Sequence, residues 1–315
     1  MTANELSALL IEMQRLTFEG RIAEAAPRCE RGAELAERGG ERDGAVLLYL
    51  GASRLWMMLG DEAGTTRTAE AAIRLCGGLG SPDDLYVVLA EAADRFGDIE
   101  HQTQAWSEVR RQASPKGQVQ ATAKLAELAR RAAQWVEMDA LLGEAVTLSE
   151  AQADVDSVAD FLIERAVART AMGDHGTAER LIELALEAAP SSSIRDARAL
   201  GQRGVIALAC GRLEEAIVHA LGAREAAVLA TDVPTYLATS TLLLTAYEAA
   251  GQLVLAYDTL LRARGSLGEL LGEPGRALVA PALSLFEERL GEERLEEVHE
   301  AWTRGRREAR AGHHS

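Results

Sequence analysis

The sequence predicts an all-α fold: an α–α solenoid of about seven helix pairs, closed by a C-terminal capping pair near residues 277–311. Three observations predict it. Helix-forming residues dominate the composition, a glycine-centred turn recurs at near-constant spacing, and small residues occupy fixed columns relative to that turn.

Of the 315 residues, 48% are apolar but only 4% are aromatic, so Ala and Leu supply most of the apolar content. Ala, Leu, Glu, Arg and Gln all favour helix, and long alternating β-branched runs are absent. That combination points to helix throughout. Length alone allows one large domain or two ordinary ones. The repeat pattern makes residues 1–311 one repeat domain, with 312–315 as a disordered tail.

The recurring turn is a helix end, a glycine, a polar residue and a new helix. Its copies are Phe18–Ile22, Leu59–Glu62, Phe96–Ile99, Met172–His175, Cys210–Leu213 and Ala250–Leu253. A seventh copy, Ala133-Gln134-Trp135, has Ala in the glycine place. The anchors are Gly20, Gly60, Gly97, Ala133, Gly173, Gly211 and Gly251, spaced 40, 37, 36, 40, 38 and 40 residues apart. Each interval holds two helices of about fifteen residues and two short links, and repeats of 20–50 residues signal stacked arrays. Glycine suits such a link because it accepts positive φ after a helix end.

Columns follow from the anchors. Five residues on lie Ala25, Thr65, Gln102, Met138, Ala178, Ala216 and Ala256; twelve on lie Gly32, Ala72, Val109, Ala145, Ala185, Ala223 and Ala263. Small side chains there allow close helix approach. Two residues on, Ile22, Ile99, Trp135, Leu213 and Leu253 plug paired helices, while Glu62 and His175 break the column. Ser81-Pro82-Asp83-Asp84, Ser114-Pro115, Pro190–Ser193 and Asp232-Val233-Pro234 carry capping chemistry for the other links. Pro27 falls inside an expected second helix, either in its first turns or at a kink.

These residues resemble the tetratricopeptide repeat (TPR) pattern: a small residue in the first helix, glycine near the turn, and alanine twice in the second helix. Gly204, Gly211, Ala216 and Ala223 match in one unit; Ala166, Gly173, Ala178 and Ala185 match in another. The resemblance covers roughly residues 4–270 and implies a right-handed TPR-like superhelix. The family's ordinary period is about 34 residues. The longer units here look more like the TPR regions of bacterial transcription regulators of the maltose-regulator and LuxR type. The segments Leu290–Leu295 and Ala301–Arg306 resemble the closing helices of such regulators. The chain departs from them in lacking a GxxxxGK[ST] phosphate loop and an evident added DNA-binding domain. Transcription regulation is therefore not carried over directly.

The TPR resemblance implies that the first helix of each pair lines a concave face. Six and three residues before each anchor, the positions on that face are Gln14 and Thr17, Arg54 and Met57, Glu91 and Asp94, Glu127 and Arg130, Val167 and Thr170, Val205 and Leu208, and Thr245 and Glu248. The ligand-binding candidates are Arg54, Met57, Glu91, Asp94, Glu127, Arg130, Thr170, Thr245 and Glu248. The row is polar and charged in the first four units and more apolar afterwards. It suits an extended peptide or helix, or else is a plain solvated surface.

The formal net charge of −16 repels phosphate backbones and argues against nucleic-acid binding by the body of the protein. It suits a basic protein or peptide partner, or serves solubility alone. Cys29, Cys76 and Cys210 are far apart and lack metal-ligand spacing, so core thiols in a reducing compartment are expected. The first sixteen residues carry Glu5 and Glu12 and lack a signal-peptide pattern. No long uncharged apolar run occurs, so a cytoplasmic location and no membrane contact are expected.

Trp56, Trp106, Trp135, Tyr86 and Tyr247 fall at turn-packing positions, where an aromatic is expected in the core or else forms a stacking site. His101, His175, His219, His299, His313 and His314 form no ligand motif, and neither a nucleophile motif nor a converging carboxylate pair is present. No catalytic residue, metal or cofactor is expected. Arg304, Arg306, Arg307 and Arg310 place positive charge near a helix C-terminus, where it complements the dipole. The function expected is a protein- or peptide-binding scaffold or sensor. The alternatives are a regulatory subunit or stand-alone sensor of a bacterial transcription or signalling system, and an enzyme on a helical scaffold.

Overall fold

A computed structural model describes residues 3–76, 87, 91, 95, 99–190 and 192–312. The turn at Gly97, the Ser81–Asp84 cap, Tyr86, Asp94, His313 and His314 lie outside the described residues, as do the side chains of Cys76 and His101. The chain divides into two compact units, Met1–Asp154 and Val155–Ser315. Among the described residues there are fourteen helices and no strand.

The first unit contains α1 (Ala3–Phe18), α2 (Ile22–Arg38), α3 (Arg42–Leu59), α4 (Glu62–Cys76), α5 (Ile99–Gln112), α6 (Pro115–Arg131) and α7 (Trp135–Ala151). The second contains α8 (Val155–Ala171), α9 (His175–Ala188), α10 (Ser193–Ala209), α11 (Leu213–Ala230), α12 (Val233–Ala249), α13 (Leu253–Leu271) and α14 (Glu273–Gly312). Helix α14 is broken at Gly291 (φ 71°, ψ 168°), so it forms the expected closing pair. Helix α2 continues through Pro27, which brings no N–H to its ladder.

The glycine turns have the geometry that their spacing predicts. Gly20, Gly60, Gly173, Gly211 and Gly251 have φ between 71° and 80°, and Ala133 takes the same left-handed conformation at 56°. The amide after each of these anchors returns to a carbonyl five residues back: Arg212 to Ala207 at 2.9 Å, and Gln134 to Ala129 at 2.8 Å. These bonds satisfy carbonyls that the ending helix leaves open. The plug column becomes the first residue of α2, α5, α7, α11 and α13. Every residue of the two small columns is buried, from Ala25 and Gly32 to Ala256 and Ala263. Gly204 shows why size matters: a Cβ there would meet Leu242 Cδ2 at 2.8 Å and the Ala216 carbonyl at 3.3 Å.

The links between pairs use two devices. Ser114, Ser192 and Asp232 cap α6, α10 and α12, accepting from the amides of Gly117, Arg195 and Thr235. Gly40, Ala153 and Thr231 add a second set of left-handed turns, two of them without glycine.

Each unit has its own apolar core. In the first, Leu16, Ala26, Cys29, Leu48 and Ala72 pack together; in the second, Leu243, Tyr257, Leu260, Leu267 and Phe286 do so. Trp106 and Tyr247 are buried, whereas Trp56 and Trp135 are half-buried. Cys29 lies in the core, but Cys210 is exposed, which corrects the expectation of a core thiol. It is the C-cap of α10, immediately before the left-handed Gly211, in a turn whose residues 209–212 are all exposed.

Ion pairs link neighbouring repeats at a sequence distance close to one repeat. Arg67 grips Glu30 with two bonds of 2.8 and 3.1 Å, and Trp56 Nε1 donates to the same carboxylate at 2.9 Å. Arg74 binds Glu37, which also accepts from the Tyr49 hydroxyl at 2.8 Å. Arg110 pairs with Glu144, and Arg212 with Glu179. Arg198 reaches both Asp160 and Glu164, and buried Arg195 joins Asp156 to the Pro190 carbonyl.

Candidate functional site: the face of the first helices

The first helices bury part of their surface and leave other residues outside the core: α10 buries Ala199, Gly204, Ile206 and Ala207 but leaves Val205 exposed. In the second unit, α10 lies against both α8 and α12, so three first helices stand side by side. Stacked repeats create their binding surfaces in this way.

In the first unit, Gln14, Thr17, Arg54, Glu127 and Arg130 are exposed, and Met57 and Glu91 are half-buried. Thr17 returns its hydroxyl to the Met13 carbonyl at 2.8 Å. Glu127 accepts from Lys124 at 3.3 Å, a surface pair on a single helix turn. Such pairs contribute only about 0.3–0.5 kcal/mol and yield easily to a partner's charge.

The second unit presents a different surface. Val205 is 40% exposed on α10; Val167 on α8 is half-buried, and Leu208, also half-buried, packs against the core at Ala207, Ala216 and Ala246. Thr245 is exposed and donates to the Thr241 carbonyl at 3.0 Å. Two candidates are engaged within the unit. Thr170 accepts from Gln202 Nε2 at 2.8 Å and donates to the Ala166 carbonyl at 2.7 Å, tying α8 to α10. Glu248 accepts from Arg289 at 2.6 Å, tying α12 to α14.

Sequence reasoning also missed the charged border of this face. Asp160 and Glu164 on α8 meet Arg198 on α10 at 3.3 and 2.6 Å. Glu164 and Arg198 stand 34 residues apart, and opposite charges at about one repeat's separation are the signal that could have found them.

Among the described residues, no group of three or more His, Cys, Asp or Glu side chains is placed to hold a metal ion, and no helix is long and apolar enough to cross a membrane.

No protein-family model matches the sequence, and no curated protein matches it. Solved structures do match the fold. RapI in its apo form is similar over 98% of this chain and 99% of its own, at 12% identity and a TM-score of 0.60. A signal-transduction ATPase with numerous domains and a tetratricopeptide repeat sensor, from Pyrococcus horikoshii, is similar over 90% of this chain at 14% identity and a TM-score of 0.61. The match spans 44% of that larger protein. BtubC (BKLC) from P. vanneervenii is similar over 67% of this chain and 91% of its own, at 21% identity and a TM-score of 0.55. The fold is therefore that of TPR-like helical solenoids.

Proposed function

We propose that this chain is a protein- or peptide-binding TPR scaffold or sensor whose partner docks in a concave groove formed by the first helices. The observation that carries this reading is the adjacency of α8, α10 and α12, with Val205 40% exposed on the middle helix. An apolar centre with a polar border is the arrangement that protein interfaces use. The first unit has its own row, Arg54, Met57, Glu91, Glu127 and Arg130, which suits a partner that carries both charged and apolar groups. Asp94 belongs to the same proposed row. The acidic balance of the chain favours a basic partner, through attraction that speeds encounter. No step of this function requires chemistry on the partner, and no catalytic role is assigned to any residue.

The test is selection of displayed random peptides on the immobilised full chain. Selected peptides are then titrated against Val205→Asp and Glu127→Lys variants whose helical circular dichroism is unchanged. Affinity falls about tenfold or more for at least one variant if the peptide occupies this face. Peptides that bind both variants as tightly as the parent chain place the site elsewhere.

A second reading makes the chain the sensor arm of a bacterial signalling or transcription system. The likeness to the TPR sensor-bearing ATPase favours it, as does the resemblance of the repeats to those of maltose-regulator and LuxR-type regulators. Ligand binding then alters a second surface, by shifting the population of two repeat arrangements. Hydrogen exchange with and without a selected peptide separates the readings: a scaffold is protected only at its contacts, and a sensor also changes away from them.

A further inference from the structure

A cavity of about 770 Å³ lies in the second unit among α11, α12, α13 and the last part of α14. It adjoins a second cavity of about 420 Å³, with which it shares Val228, Tyr236, Ser266 and Glu269. Both volumes fall within the range of small-molecule pockets, about 300–1,000 Å³. None of the candidate residues on the first-helix face lines either cavity.

The two cavities differ in chemistry. Arg224, Arg262 and Arg306 line the larger one, against Asp258 and Glu269. Asp258 is already engaged on both oxygens: Trp302 Nε1 donates to one at 2.9 Å and Arg262 Nε to the other at 2.5 Å. Trp302 is held rigidly as a wall. Tyr257 meets it edge-on at 5.8 Å, His299 lies 6.0 Å away, and the Arg306 guanidinium sits 5.0 Å from its ring centre. Arg224 is different. Its Nη1 is buried and has no hydrogen-bond partner. That nitrogen is closed to solvent, so a ligand meets Arg224 through the part of its side chain that lines the cavity, and a guanidinium matches a carboxylate in shape and charge. The smaller cavity continues from this point along the aliphatic Ala227, Val228, Val233, Leu267 and Leu270, with Thr231 and Asp232 beside them; both Asp232 oxygens already accept from Thr235.

We propose that the joined cavities bind a small amphiphilic carboxylate, with its head on Arg224 and its aliphatic body along Val228, Val233 and Leu270. One negative charge fits better than two. Glu269 and the net charge of −16 oppose a dianion such as a phosphate monoester, while one guanidinium on the cavity wall, that of Arg224, matches one carboxylate.

Calorimetric titration of the full chain with octanoate tests this, beside butyrate, octanol and octyl phosphate. Octanoate binds at one site. Butyrate, four methylenes shorter, binds on the order of a hundredfold more weakly, because each buried methylene contributes about 0.8 kcal/mol. Octanol and octyl phosphate bind more weakly than octanoate. Arg224→Met lowers octanoate affinity about tenfold or more, the usual loss for a hydrogen bond to a charged group. Val228→Glu places a like charge in the passage at a position 59% exposed, where folding is not at stake, and abolishes binding. No octanoate binding overturns the proposal, as does equal binding to both variants. Octanol binding as tightly as octanoate refutes the carboxylate head, and tighter octyl phosphate refutes the single charge. Peptide selection on the first-helix face is unaffected by either variant, so the two proposals fail separately.

Discussion

Exchanging glycine and alanine at the turns measures what the left-handed anchor conformation contributes. Gly211 has φ 74° and Ala133 has φ 56° in equivalent turns. A Cβ added at Gly211 would meet nothing within 4 Å, so packing does not enter the comparison. An L-residue in this conformation costs about 1–2 kcal/mol. Replacing glycine with alanine also restricts the unfolded chain, which returns about 0.4–1 kcal/mol. The net expectation is that Gly211→Ala destabilises its unit by about 1 kcal/mol and Ala133→Gly stabilises its own by a similar amount. For units of 150–250 residues, 1 kcal/mol shifts Tm by about 2–4 °C. Because the chain forms two compact units, a single global midpoint can hide one of the effects. Native-state hydrogen exchange on the flanking helices, α6 and α7 for Ala133 and α10 and α11 for Gly211, resolves each change locally. If both substitutions are neutral, or if Ala133→Gly destabilises, the anchors are not selected by backbone conformation and the reasoning fails.

Three further outcomes are expected. Gly204→Ala destabilises the second unit by about 1 kcal/mol, because overpacking against Leu242 and the Ala216 carbonyl outweighs the gain in helix propensity; a rise in Tm would show that the helices have room to separate. In a Cys76→Ser background, a disulfide reagent titrates one thiol in the native chain and two after denaturation, since Cys210 is exposed while burial, aided by the charge of Glu30, pushes the Cys29 thiol up to about 11; rapid reaction of two thiols under native conditions would contradict this. Burial, and then its hydrogen bond to Glu37, pushes the Tyr49 hydroxyl up to about 12 from an ordinary value of 10.0. The folded value is the raised one, so Tyr49's contribution is complete below about pH 10 and is lost as pH rises toward 12. Burial also raises Tyr247 and Tyr257, so the measurement is the difference in denaturation midpoint between the parent chain and Tyr49→Phe across that window; a difference independent of pH would refute it.

The sequence by itself determined the parts of this protein that depend on neighbours along the chain. The turn at Gly211 was legible because few residues other than glycine adopt positive φ cheaply, and its spacing set the register of Ala216 and Ala223 in the buried columns. The caps at Ser114, Ser192 and Asp232 were legible for the same local reason. The first-helix face was legible as a set of positions, since counting back from each anchor reaches exposed Arg54, Glu127, Arg130 and Thr245. Its bonding was not. Only packing between helices about one repeat apart brings Gln202 to Thr170, Arg289 to Glu248 and Arg198 to Glu164. Ala153 and Thr231 take left-handed turns without glycine, so nothing in their identity announces them. The carboxylate cavity draws Arg224, Asp258 and Trp302 from three helices far apart in the chain. Which polar groups become partnered, and which, like Arg224 Nη1, are left buried without an acceptor, is decided by how those helices pack, because hydrogen-bond geometry between distant residues has no signature in local sequence.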